Sequence, residues 1–183
     1  NPPLRDYGLL EDDEGGLHDD LGVAQGQTWV NDSNMLSDPD VRGAINSRRV
    51  ESLRKWWAGL IINQGRSIQE KMVLFWHHHF SIQSTEVENS AMLYRHHNLL
   101  RTNALGNFKT LVREVTIDPA MLIHLNGYLN TKQAPDENYA REVMQLFTIG
   151  LWQLNADGTR RRDANGNFIP TYGQDDVAGL ARV

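Results

Sequence analysis

The chain has 183 residues, a formal net charge of −5, 40% apolar residues, five Trp and no Cys. Its length suits one domain able to bury roughly two-thirds of its unfolded surface, and the absence of Cys excludes disulfides and thiolate metal sites. No apolar run reaches the ~18 residues of a membrane span, and residues 41–183 carry an excess of only four basic groups, which argues against nucleic acid as the main partner.

Acidity is concentrated at the N-terminus, where residues 1–40 hold ten Asp and Glu against Arg5 alone. That composition reads as an acidic, mostly irregular, solvated arm over residues 1–44, without the Asp-x-Asp-x-Asp-Gly order of a calcium loop. Within it Gly26-Gln27-Thr28-Trp29-Val30 reads as a short extended segment and Ser37-Asp38-Pro39-Asp40 as turn chemistry. A helical domain over residues 45–183 follows. The start at Asn1-Pro2-Pro3 and the end at Ala181-Arg182-Val183, inside a helix-like pattern, read as those of a processed or truncated piece.

Val50, Leu53, Trp57, Leu60 and Ile61 recur at helical spacing from about Ile45 to Asn63, with Asn63-Gln64-Gly65 as the stop. Ser67-Ile68-Gln69-Glu70 is a capping box that opens a second helix. A third helix is expected over 91–104, a fourth over 107–116, and a fifth that Asp118 caps with Pro119 in its first position and Gly127 at its end. Asp136 to Ile149 forms a sixth, with Tyr139, Val143, Leu146 and Phe147 on its apolar side and Gly150 as its stop. Two turn signals, Ala156-Asp157-Gly158-Thr159 and Ala164-Asn165-Gly166-Asn167, flank Arg160-Arg161-Arg162 and predict a β-hairpin excursion near 151–170. Thr171-Tyr172-Gly173-Gln174 then opens a last helix. The expected fold class is mainly α, a multi-helix bundle-like domain.

Three consecutive histidines close the run Lys71-Met-Val-Leu-Phe-Trp-His-His-His-Phe80. Histidine ligates metals, shuttles protons or sits hydrogen-bonded in a core. On a helix His77 and His79 lie about 200° apart. They share a divalent metal such as Zn or Fe only if the backbone turns extended near Trp76, or if one of them joins residues of another helix. His96, His97, His124, Glu137 and Glu142 are the available partners. His96-His97 itself reads as a surface pair in mid-helix. In Asp136-Glu137-Asn138-Tyr139-Ala140-Arg141-Glu142, helical spacing pairs Glu137 with Arg141 and Asn138 with Glu142. This is either an ion-paired solvated face or a carboxylate–guanidinium network that orients histidines or supplies a base. Asp163-Ala164-Asn165-Gly166-Asn167 reads as an ordinary Asn-Gly turn.

Five blocks in order resemble a bacterial family called domain of unknown function 1800. They are Lys71 to Phe80, Asn103-Ala-Leu-Gly-Asn-Phe108, Asp118-Pro-Ala-Met-Leu122, Glu137-Asn-Tyr-Ala-Arg-Glu142 with Leu146-Phe-Thr-Ile-Gly150, and Tyr172-Gly-Gln-Asp-Asp-Val177. Arg48, Ser52-Leu53 and Trp56-Trp57 extend the resemblance to about residues 48–183. It implies that members are longer than this chain, that they are exported, and that a sulfatase-like protein is their companion. It selects His77 and His79 from the triplet, with His78 departing from the pattern, and Glu137, Asn138, Tyr139, Arg141 and Glu142 from the second block.

Two readings follow. In one, an exported envelope or surface assembly factor uses Trp76, Asn138 and Tyr139, with the histidine and Glu-Asn-Tyr-Ala-Arg-Glu blocks, as a structural polar network. In the other, a metal-dependent hydrolase uses His77 and His79 as ligands, with Glu137, Glu142 and Arg141 as catalytic groups.

Overall fold

A computed structural model describes residues 1–11, 14–20, 22–32 and 39–182. The chain forms two compact units, Asn1–Asn107 and Phe108–Val183. The architecture is mainly α, as the periodicity predicts. Among the described residues no helix is long and apolar enough to cross a membrane.

The first unit is built on a long helix, α1 (Pro39–Asn63). It starts six residues before the periodic pattern does, because Pro39 has the fixed φ and missing N–H that suit a first helical position. Ser37 and Asp38 of the expected turn lie outside the described residues. Among its described residues before α1, the acidic segment is irregular apart from an antiparallel bridge between Leu4 and Thr28 and a minimal hairpin of β1 (Leu10–Glu11) and β2 (Leu17–His18), which pairs Leu10 with His18 and Glu11 with Leu17.

That segment is not a solvated arm. Leu10 packs with Val41 and Ile45, and Trp29 is fully buried with Val23 and Val30 against Leu53 and Tyr94. Charge made the segment look soluble, yet Asp19, Asp20 and Asp32 are neutralised locally. The Arg49 guanidinium donates to both oxygens of Asp20 (3.1 and 2.9 Å) and to Asp32 (2.6 Å), while the Tyr7 hydroxyl donates to Asp20 (2.6 Å). Arg5 pairs with Asp19 and donates to the carbonyls of Asp20 (2.9 Å) and Val23 (2.7 Å). Buried carboxylates are stable only with such partners.

Helix α2 (Gln69–His79) follows, then the short α3 (Ser84–Val87) and α4 (Ser90–Asn103). The capping box does not close. Ser67 Oγ accepts from the Gln69 amide at 3.1 Å, but Glu70 is buried and its carboxylate pairs with Arg101 of α4. A long-range charge partner has displaced a local cap. Asn89 caps α4 by accepting from the Met92 amide at 3.0 Å.

In the second unit α5 (Phe108–Thr116) buries Leu111 and Val115. Asp118 caps α6 (Pro119–His124) as expected, accepting from the Met121 amide at 3.1 Å. The left-handed residue after it is Asn126 (φ 60°), and Gly127 instead begins a 3₁₀ turn, Gly127–Leu129. Helix α7 (Glu137–Glu142) runs into a π-helical turn, Val143–Phe147, which the left-handed Gly150 (φ 72°) ends by donating to the Met144 carbonyl at 2.8 Å. Helix α8 (Gln174–Ala181) packs Val177 and Ala181 on Ala140.

The excursion before α8 reverses twice rather than once, at Gly158 (φ 82°) and Gly166 (φ 84°). Three short extended runs result, linked by the antiparallel bridges Trp152–Pro170, Leu154–Arg160 and Arg162–Phe168. Their amides close a ring: Gln153 N–H donates to Ile169 C=O, Ile169 N–H to Arg161 C=O, and Arg161 N–H to Gln153 C=O. Asp163 makes an Asx turn, accepting from the amides of Asn165 and Asn167, both at 2.9 Å.

Candidate functional site

Helix α2 continues through His79, so the extended backbone that would bring His77 and His79 to one side is not formed. The two rings have different neighbours. His77 faces α1 and α4, with its ring 5.0 Å from Trp57 and 6.4 Å from both His96 and His97. His79 lies beside Phe75 (6.4 Å), Trp76 (5.9 Å) and Phe80 (4.6 Å). His78 is exposed.

His96 and His97 are buried, 1% and 3% exposed, and are not the surface pair that their adjacency suggested. A signal for this was present. Leu93, His96, His97 and Leu100 fall at helical spacing, and all four are buried along α4. His96 Nε2 lies 3.1 Å from the Phe80 carbonyl. His97 sits between Trp56 (5.4 Å) and Trp57 (4.5 Å), and Tyr94 continues the aromatic stack from Trp56 (5.7 Å) to Trp29 (6.3 Å).

Leu53, Trp57, His77, Leu93, His96 and His97 are among the residues that line a cavity of about 180 Å³, which Arg54 and Ser84 also border. The surroundings favour neutral imidazoles. Burial first, then His96 and His78, lowers the His77 pKa from 6.5 to about 4. Burial first, then His77 and His96, lowers that of His97 to about 3. Neutral imidazole is the form that ligates metals. Even so, among the described residues no group of three or more His, Asp and Glu side chains is placed to hold a metal ion.

Trp76, predicted to belong to a polar network, donates its indole N–H to the Ala104 carbonyl at 2.9 Å. Gln69 Nε2 donates to the Arg101 carbonyl at 2.7 Å, so both contacts tie α2 to the end of α4. Glu70 pairs with Arg101 through one oxygen, and its buried Oε2 has no hydrogen-bond partner among the described residues.

Glu137, Asn138, Tyr139, Arg141 and Glu142 belong to the second unit. Glu137 and Arg141 pair at 2.8 Å, as their spacing predicts, and Gln174 of α8 donates its amide to both Glu137 oxygens at 2.7 Å. Arg141 in turn donates to Gln174 Oε1 at 3.2 Å. The triad clamps α8 to α7. The expected Asn138–Glu142 pair is absent, because Asn138 Nδ2 donates to the Leu125 carbonyl (3.3 Å) and its backbone N–H to Asp136 (2.8 Å). Glu142 is half-buried at the junction with the π-turn. The Tyr139 hydroxyl donates to the Thr116 carbonyl at 2.7 Å, and burial pushes its pKa up to about 12. His124 ends α6.

No curated protein and no solved structure matches the chain. A family model does, over residues 12–183, so the match includes most of the acidic segment that the motif blocks did not reach. The chain belongs to that family, described as Protein of unknown function (DUF1800).

Proposed function

We propose that the chain is part of an exported bacterial protein that acts as an envelope or surface assembly factor, with its polar residues serving packing and its apolar helix surface serving docking. The observation that carries this reading is the outer face of α2. Within α2 Glu70 and Val73 are buried, while Leu74 and Phe75, with Ile68 just before the helix, are 40%, 53% and 60% exposed. Exposed apolar side chains grouped on one helix are suited to being covered by a partner.

The polar residues selected by the motifs support the same reading. Trp76, Asn138 and Tyr139 each donate to a backbone carbonyl, and Glu137 and Arg141 bind each other and Gln174. These contacts position helices. The partner proposed is a sulfatase-like companion exported with the protein.

A photo-crosslinking residue in place of Phe75, in the full-length protein expressed in its host, tests this. The expected result is a discrete adduct with the sulfatase-like companion in the envelope or exported fraction. Cytoplasmic retention, or labelling no stronger than at the solvated position Asp157, would overturn it.

A further inference from the structure

Three consecutive arginines, Arg160 to Arg162, are exposed on the excursion before α8, and none of them has a carboxylate partner among the described residues. The two acids of the excursion are committed elsewhere. Asp157 accepts from the N–H and the hydroxyl of Thr159 (2.9 and 2.7 Å), and Asp163 accepts from the amides of Asn165 and Asn167. Grouped like charges without a neutralising acid repel one another, which suits the place to an incoming anion.

The pairing of the three runs sorts the side chains. Neighbours along an extended run point to opposite sides and directly bridged residues to the same side, so the bridges Trp152–Pro170, Leu154–Arg160 and Arg162–Phe168 group these six residues. Ring contacts agree. Trp152 lies 5.6 Å from Phe168, and the guanidinium carbons of Arg162 and Arg160 lie 4.0 and 5.3 Å from the Phe168 ring centre. Stacking engages the flat face of a guanidinium and leaves the donors at its edge open. Arg162 gives one donor to the Gly166 carbonyl at 2.5 Å, whereas the Arg160 side chain has no hydrogen-bond acceptor among the described residues. Arg161 turns to the other side, where it donates to Gln153 Oε1 at 2.9 Å.

The composition of the shared side identifies the partner class. Trp, Phe and Arg are enriched at protein interfaces, and Lys, Asp and Glu are depleted. The six residues are two arginines, two aromatic rings, Pro170 and Leu154, the last 58% exposed. Each run is paired with the other two, so an incoming strand finds no free edge and recognition falls to side chains. A bilayer surface would need more exposed apolar area than Leu154 and Pro170 supply. We propose that this side of the excursion is a docking surface for an acidic protein segment, whose carboxylates meet Arg160 and Arg162 and whose apolar side chains cover Leu154. It belongs to the second unit and does not depend on the α2 surface.

Three fluorescein-labelled peptides probe the surface on the full-length protein by polarisation: one alternating Glu with Leu, one with Gln in place of Glu, and one with Ser in place of Leu. The Glu–Leu peptide is expected to bind at least tenfold tighter than either of the others, and to weaken at least fivefold as NaCl rises from about 50 to about 500 mM. Fluorine NMR of 5-fluorotryptophan places the contact, since the Trp152 signal, assigned from its loss in Trp152→Phe, should shift saturably. Arg160→Gln removes no hydrogen bond of the fold and should weaken the Glu–Leu peptide about tenfold, with Leu154→Ser weakening it about threefold. Affinity that Arg160→Gln leaves unchanged, or no binding of the Glu–Leu peptide at about 1 mM, overturns the proposal. So does Arg160-dependent binding to phosphatidylglycerol vesicles in the absence of peptide binding, which would make the partner a lipid surface.

Discussion

Trp57 of α1 and His97 of α4 meet edge to face with ring centroids 4.5 Å apart, and neither Trp57 Nε1 nor His97 Nε2 has a hydrogen-bond partner among the described residues. Their burial has a consequence for stability. In the folded chain the pKa values of His77 and His97 fall to about 4 and about 3, against 6.5 ordinarily. Between those limits the unfolded chain holds more protons, so stability falls as the pH falls.

The contribution of each ring is intact above about pH 6.5 and is lost progressively toward its folded value. By pH 5 each ring accounts for a loss of about 2 kcal/mol, from 1.36 kcal/mol per pKa unit. Urea unfolding at pH 7 and pH 5 should show that drop, and His97→Phe should remove about half of it. Equal unfolding free energies at the two pH values would contradict the burial of these rings.

Arg49 pairs with both Asp20 and Asp32 inside the first unit. Arg49→Met removes a charge partner from both carboxylates and is expected to cost about 3–5 kcal/mol. Limited proteolysis should then cleave within residues 1–32 before α1 is attacked. Wild-type resistance in the variant would mean that apolar packing around Leu10 and Trp29 suffices.

Removing Arg101 leaves Glu70 buried without its partner. Because Arg101 is partly exposed, the cost of Arg101→Met is put at about 2–3 kcal/mol, below that of a fully buried pair. The double variant Glu70→Met with Arg101→Met should recover most of it, since an apolar pair leaves no charge to solvate. A thermodynamic cycle from denaturant titrations measures this; additive losses would show that the pair is not coupled.

A Cβ on Gly127 would lie 2.8 Å from Leu122 Cδ2 and 3.2 Å from Tyr139 Cγ. Gly127→Ala should therefore destabilise the second unit by about 1–3 kcal/mol through overpacking. Thermal unfolding compared with Gly179→Ala, where nothing lies within 4 Å of the added carbon, isolates the effect.

The helices were legible where local signals act alone. Asp118 caps as its position predicts, and Asn63 and Gly150 mark stops. What the sequence hid is long-range. Glu70 looked like half of a capping box because its partner, Arg101, is thirty-one residues away. The N-terminal acids looked solvated because Arg49 lies beyond them in the chain. The doubled turn at 151–170 was signalled by two glycines, but the ring of three runs depends on pairing that period and composition do not specify.

At the site, adjacency misled twice. The histidine triplet is divided by the helix, with only His77 directed at the cavity, and His96-His97 belongs to the buried stripe of α4. The Glu137–Arg141 pair was readable at i,i+4 spacing, whereas Gln174 was not, because it arrives from α8.

The imidazole resonances of His77 and His97, followed by ¹⁵N NMR from pH 8 to pH 5, test the central claim most directly: that these rings form a buried neutral centre packed on Trp57. The account predicts neutral-form shifts for both that hold from pH 8 to pH 6 and have moved by no more than about a tenth of the full titration at pH 5. Titration of either ring with a midpoint near 6.5 would contradict it.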